Sequence, residues 1–300
     1  MTRGYNGIAP LHSGHILTTM MLEGRTVNLD LHQGTARLRA LRDALSAQYK
    51  EEDLHRLRVT IRRMRSVLRS KRGDKARKLR RRLSELAHTT NSARDWDTLY
   101  TSSSTYLGPD QFSDLQLSLH ARREHARAHV YRMFHSKKWQ TTLGRCDTLA
   151  GKIDLEDADL RLTPGKLKSR LKRAIAAARK AVERDNDKHW HKLRIAIKEL
   201  RYALDSCADE AQAHSNSAIL RECKTLQALL GDWHDTVVHR QLLNTLAGDG
   251  PLNPATPAGS AADELQRVLA DQGQRSLARV RKRLRKGVLE AATVNVKGHD

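Results

Sequence analysis

One pattern occurs twice in this chain: HRLRVTIRRMRSVL from His55 to Leu68, and HKLRIAIKELRYAL from His191 to Leu204. At about 100° per residue on a helix, His55, Arg58, Arg62, Arg65 and Arg69 fall within roughly 80° of one another, while Leu57, Ile61, Met64 and Leu68 gather on a different face. The second copy sets His191, Arg194, Lys198 and Arg201 on one stripe and Leu193, Ile197, Leu200 and Leu204 on the other, at the same spacing. Each copy is therefore predicted to be an amphipathic helix with one apolar and one cationic face, its basic ladder rising about 15 Å. A pattern stated twice predicts two related halves.

Composition supports helices around aliphatic cores. Aromatic residues are only 4 % of the chain, whereas Leu, Ala and Arg abound, a mixture that suits helices and suits strands poorly. A formal net charge of +21 makes the folded chain repel itself and attract polyanions, so an anionic partner is the first functional expectation. Cys146, Cys207 and Cys223 are odd in number, far apart and without CxxC spacing, and read as reduced thiols. The mildly apolar stretch Ile16 to Leu22 contains threonines and is followed by Glu23 and Gly24, with no small-residue cleavage site. No apolar run approaches the roughly 18 residues of a membrane span. The expectation is a cytoplasmic protein.

Residues 1–28 carry four glycines and no sustained period, and read as a loose leader. The half 29–150 is expected to hold four helices. These are Leu29 to about Lys50, with Leu31, Leu38, Leu41 and Leu45 apolar; the first ladder, capped by Asp53 and ending near Gly73; a helix opening at Asp74 with the basic run Lys75, Arg77, Lys78, Arg80, Arg81 and Arg82 and continuing through LSELAHTTNSARDWDTLY; and a long one from about Phe112 to Leu149. The acidic connector 151–165 ends at Pro164-Gly165. The half 166–287 repeats the arrangement, with helices over about Lys166 to Glu183, the second ladder, Ser217 to Leu246 and Ala261 to Lys286, the last two separated by GDGPLNPATPAGS; residues 288–300 are read as a tail. All six prolines fall in the leader or in connectors, as helix sterics demand. The expected fold class is all-α, a four-plus-four arrangement of long helices related by internal duplication.

A weaker echo accompanies the ladders: NSARDWDT from Asn91 to Thr98 follows the first much as GDWHDTVV from Gly231 to Val238 follows the second. The step Arg94-Asp95 thus corresponds to His234-Asp235. An HxxRxxxRxxR helix followed by such a segment, twice over, resembles the CHAD family of α-helical histidine domains, from about residue 30 to about residue 290. The resemblance implies two antiparallel four-helix bundles about a pseudo-two-fold axis. It also implies a basic groove or pore, lined by the ladders, that binds inorganic polyphosphate without a cofactor or chemistry, with polyphosphate granules as the implied place of action. Carried over residue by residue, the polyanion-binding positions fall at His55, Arg58, Arg62 and Arg65, and at His191, Arg194, Lys198 and Arg201. Lys224 and Gln227 in KTLQALLGDWHD fit the same pattern, and Arg69 continues the first ladder by spacing alone. Arg94, Asp95, His234 and Asp235 are expected to support these contacts. Two departures stand out: Asn91 occupies a position where the family has Gly, and Glu199 matches Arg63 of the first copy, so the second half is the less basic. The ExExK strand of the triphosphatase domain fused to some members is absent from the sequence.

A single charged stripe is ordinarily a solvated face. Two with the same His and Arg spacing, in a chain of this charge, call for more. Like charges at i, i+3 and i+4 destabilise a helix by a few tenths of a kcal/mol per pair, and guanidinium forks match phosphate oxygens, so the stacking predicts an anion that offsets it. The rival reading is a duplex DNA or RNA binder. Single-strand binding usually needs aromatic platforms, and aromatics here are scarce and not interleaved with the ladders. A polyanion hydrolase or kinase would need a P-loop or a carboxylate cluster for Mg²⁺, which the sequence lacks. His125 and His129 have the i, i+4 spacing of helical metal ligands, but no HExxH accompanies them, and no metal is expected. Asp95 and Asp235 read as groups that orient Arg or His, and Trp96, Trp139, Trp190 and Trp233 as packing anchors.

Overall fold

A computed structural model describes residues 31–70, 73–151, 164–205, 210–248, 253 and 255–295, and among these there are helices and no strand. The leader, nearly all of the acidic connector and the last five residues lie outside the described residues. The first helix, α1 (Leu31–Ala47), buries Leu31, Leu38, Leu41 and Leu45. The first ladder is α2 (Glu51–Ser70), which opens on Glu51, Glu52 and Asp53; three carboxylates in the first turn complement the positive end of the helix dipole. Asp53 does not cap α2. Its own N–H donates to the Lys50 carbonyl at 3.1 Å, so it already lies inside the first turn.

The third expected helix is two. It breaks at Thr90 into α3 (Asp74–Thr89) and α4 (Asn91–Tyr106), where the Thr90 hydroxyl donates back to the Ala87 carbonyl at 2.7 Å. The fourth also divides, at Ser136, into α5 (Pro109–His135) and α6 (Lys137–Ala150). There the Ser136 hydroxyl accepts from the Trp139 N–H at 3.1 Å, a side-chain N-cap that restarts the helix in a new direction. The second half holds α7 (Pro164–Arg184), the second ladder α8 (Asp187–Asp205), α9 (Glu210–Gly248), α10 (Pro257–Leu284) and α11 (Val288–Asn295). Pro109, Pro164 and Pro257 each open a helix, where a missing N–H costs nothing. Residues read as a tail contribute α11, whose Leu289 is buried.

Two apolar cores result. The first gathers Leu38, Leu45, Leu57, Ile61, Met64, Leu83 and Trp139; the second gathers Leu171, Trp190, Leu193, Ile197, Leu226 and Leu230. All four tryptophans are buried. The cores do not part at the connector, because Leu243, Leu246, Leu265 and Leu269 from α9 and α10 pack into the first one. Length explains this: α9 has 39 residues, so it is about 58 Å long, more than one bundle can cover. Its far end and the facing half of α10 continue onto α4 and α5. The pair α9 and α10 is antiparallel, with Arg283 on Glu222 at one end and Arg240 donating to Gln266 at the other. Between them they approach closely at Gly273, where a Cβ would lie 2.7 Å from the Thr236 hydroxyl oxygen.

Buried charge fixes the remaining angles. Asp97, 1 % exposed, accepts from the Tyr49 hydroxyl at 2.6 Å, from Arg123 Nε at 3.1 Å and from Arg127 Nη2 at 2.9 Å. Arg123 also reaches Glu51 at 2.6 Å, so one network ties the start of α2 to α4 and α5.

Candidate functional site

The apolar faces of α2 and α8 are anchored in separate cores, which leaves each cationic stripe to be aimed by its neighbours. On α2, His55, Arg58 and Arg65 are half-buried and Arg62 and Arg69 exposed; on α8, Arg194, Lys198 and Arg201 are half-buried and His191 exposed. The two stripes come near enough that charges on one act on the other. Burial holds the Lys198 ammonium below the usual lysine range, and, against the pull of Tyr202, so do Arg194 on its own helix and Arg62 and Arg65 on α2. Cations from two helices therefore share one space, and neither Arg62 nor Lys198 has an ion pair among the described residues.

The floor of that space comes from α4 and α9. Arg94 lies beside His55, Asp95, Asp235 and His239 and influences the titration of each. His55 is held below its ordinary range by burial first and then by Arg94, with Arg62 and Arg58 adding to the effect against Glu52. Burial first, and then Asp235, raise the Asp95 carboxyl to about 6 against the attraction of Arg58 and Arg94. His234 is pushed down to about 4 by burial, then by Arg194 and His191; its ring centroid stands 5.3 Å from that of His191. His239 is also pushed down to about 4, and meets the Thr98 hydroxyl at 3.1 Å across the joint between α9 and α4.

Two ladder arginines are committed to structure as well. Arg58 Nη1 donates to the Ala87 carbonyl at 3.1 Å, to Thr90 Oγ1 at 2.6 Å and to Asn91 Oδ1 at 2.8 Å. It thereby clasps the break between α3 and α4, adding a third donor to the Ala87 carbonyl, which also accepts from the Thr90 N–H and hydroxyl. Arg201 donates to Gln227 Oε1 at 2.6 Å and to Asp205 at 2.8 Å, with its guanidinium 4.5 Å from the Tyr202 ring centroid. Gln227 thus positions an arginine.

The expected residues do not all converge. His55, Arg58, Arg62, Arg65, Arg94, Asp95, Arg194, Lys198, His234 and Asp235 are linked through mutual electrostatic influence. Arg69 belongs instead to a cluster with Arg65 and Arg80 at the far end of α2, and Lys224 is exposed on α9 with no hydrogen bond or ion pair among the described residues. Sequence reasoning passed over His239 and Asp232, whose carboxyl burial raises to about 6. Asp232 is legible only as a member of the GDWHD segment; His239 has no local signal. His125 and His129 lie on the outer face of α5, with their Nε2 atoms 3.3 Å apart, away from the ladders.

A linear run of guanidinium and ammonium donors along about 15 Å of each of two helices can neutralise several anionic groups in series, each guanidinium fork donating to two oxygens. The family model described as CHAD domain matches residues 30–244. Among solved structures, the crystal structure of the CHAD domain from the plant Ricinus communis matches with a TM-score of 0.60 at 23 % identity, over 91 % of this chain and 91 % of that one, a likeness of fold. No curated protein sequence matches the chain.

Proposed function

Since this chain belongs to the CHAD domain family, we propose that it binds inorganic polyphosphate non-covalently, without catalysing a reaction, in the space between the α2 and α8 ladders. The observation that carries this reading is the position of Lys198: a half-buried ammonium among Arg194, Arg62 and Arg65 with no carboxylate partner among the described residues. Such an array is unfavourable alone and favourable around a polyanion. His55 and Arg58, His191 and Arg194, with Arg65 and Arg201, extend the array along both helices, and Arg94 closes its floor. Asp95 and Asp235 temper the charge where the halves meet. In cells, a protein that works this way would gather on polyphosphate granules in the cytoplasm.

The test is displacement of labelled long-chain polyphosphate by unlabelled polyphosphate, duplex DNA, RNA and heparin at fixed salt. Polyphosphate should compete best per unit charge. With about six to ten contacts, affinity should fall by about 10³–10⁵ between 50 and 200 mM salt, by analogy with DNA. Equal competition by duplex DNA would replace the reading with nucleic-acid binding, and salt-insensitive affinity would remove the groove altogether.

A further inference from the structure

At the far end of the first ladder, Arg65, which also borders the opposed-helix array, meets two arginines that the array does not use. Arg65 and Arg69 are one helical turn apart on α2, and Arg80 reaches them from α3. None of the three has an ion pair among the described residues. Arg65 Nε is buried and has no hydrogen-bond acceptor, and a buried donor in that state calls for a partner from outside the chain. Beside them lies a concavity of about 290 Å³ lined by Leu68 of α2 and by Gly73, Asp74, Arg77 and Arg80 at the start of α3. Gly73 holds φ at 112°, a conformation that suits glycine, and as N-cap of α3 it supplies no side chain to the open N–H groups of the first turn. The one carboxylate there, Asp74, accepts from Arg77 at 2.8 Å, which leaves Arg80 unneutralised.

We propose that this hollow is a second phosphate subsite, formed by Arg65, Arg69 and Arg80 at the start of α3, where a polyphosphate chain leaving the ladder groove continues over the α2–α3 turn. The inference rests on the polyphosphate reading above and adds a path and a length preference to it. Arg65 stands at the branch: its neighbours include Lys198 on the groove side and Arg80 on the turn side. Short chains fill the groove alone, whereas long chains reach both places, so the subsite selects for length through one extra contact on a ligand already held.

The experiment compares Arg80→Glu with Lys78→Glu, an equal charge change on an exposed residue of the same helix, in the full chain. Each is titrated with labelled polyphosphate of about a hundred units and of about ten. Arg80→Glu should weaken long-chain binding about tenfold, with a salt dependence shallower by about one unit, and change short-chain binding less than about twofold. Arg80→Gln, which removes the charge but keeps a polar side chain, gives the same pattern at smaller amplitude and guards against misfolding of the reversal, with helicity followed by circular dichroism. Equal losses for Arg80→Glu and Lys78→Glu would overturn the subsite while leaving the groove standing, as would equal losses on long and short chains. Failure of the unaltered protein to bind either length would overturn the polyphosphate reading itself, and the subsite with it.

Discussion

Neutralising Lys198 should separate what the ladders cost the free protein from what they do for binding. Its ammonium is half-buried near Arg194, Arg62 and Arg65, and burial is the first cause that holds it below the ordinary lysine range. A depressed pKa means the charged form is less favourable in the folded chain than in the unfolded one, so at pH 7, with lysine charged in both, the charge subtracts from stability. Lys198→Met keeps most of the apolar stem and removes the charge. Each like-charge neighbour in a partly solvated place is worth about 0.3–0.5 kcal/mol, so relief from three amounts to about 1 kcal/mol. That raises the thermal midpoint by about 2–4 °C for a chain of this order of size. The same change deletes one phosphate contact, so polyphosphate affinity should fall about three- to tenfold and its salt dependence become shallower by about one unit. Calorimetric unfolding at low salt and fluorescence anisotropy with labelled polyphosphate read the two effects on one preparation. A variant that melts lower than the parent would refute the electrostatic account of Lys198. Unchanged affinity would mean the polyanion bypasses the gap between the ladders.

Arg58→Ala should destabilise the fold by about 2–3 kcal/mol in urea titrations, because it removes the donor shared by Ala87, Thr90 and Asn91 at the α3–α4 break; Arg62→Ala, at an exposed position without such bonds, should stay within about 0.5 kcal/mol while still weakening polyphosphate binding. Asp97→Ala should cost about 3–5 kcal/mol by the same measurement, since Arg123 and Arg127 would be left without their shared buried carboxylate. The free protein should lose stability as pH falls from about 6.5 towards 4, because the unfolded chain protonates its histidines near 6.5 while His234 and His239 stay neutral in the fold down to about 4. Between those limits the unfolded state binds the extra protons, so stability rises with pH. Asp95 and Asp232, each raised to about 6, take up protons in the fold first and offset part of that loss. Asp95→Asn should therefore steepen the decline of the thermal midpoint below pH 6, and a midpoint that rises on acidification would contradict the assignment.

The ladder pattern carried the local structure because its apolar half behaves as periodicity demands: Leu57, Ile61, Met64, Leu68, Leu193, Ile197 and Leu200 are all at most 1 % exposed. Helix breaks at Thr90 and Ser136 were illegible for a physical reason. Neither residue is Gly or Pro and the apolar period runs through both; what decides them is an arginine 32 residues upstream of Thr90 and a hydroxyl cap on Trp139. Arg58 and Arg62 look alike in sequence, yet only Arg58 has acceptors within reach. Asp95 and Asp97 make the complementary case. They lie about 200° apart on α4, so Asp95 joins the ladder residues while Asp97, which had drawn no attention, becomes the buried partner of Tyr49, Arg123 and Arg127. That the two stripes come near each other depends on α9 reaching across both cores, a tertiary fact with no counterpart in either repeat.

The distribution of carboxylates explains how a chain with 55 basic and 34 acidic residues can keep two cationic faces without counter-charges. Its close ion pairs largely serve to join or cap helices. Asp97 binds Arg123 and Arg127, Glu222 binds Arg283, Asp185 binds Arg281 and Glu85 binds Lys138. Among the described residues the ladders receive a direct carboxylate only at Arg201, from Asp205. Asp95 and Asp235 stand near but are both raised in pKa, so they weaken as counter-charges as the solution turns acidic. The resulting repulsion, a few tenths of a kcal/mol per like pair, is carried by the opposite face of the same helices. There each buried Leu, Ile or Met contributes about 1.5–3 kcal/mol, and four such residues on one helix outweigh the repulsion along its ladder. One amphipathic helix therefore serves both ends: its apolar face supplies the stability that lets its cationic face stay largely without counter-charges among the described residues, as the proposed polyphosphate binding requires. At about a hundredfold excess over Kd, that ligand should return about 2.7 kcal/mol to the fold.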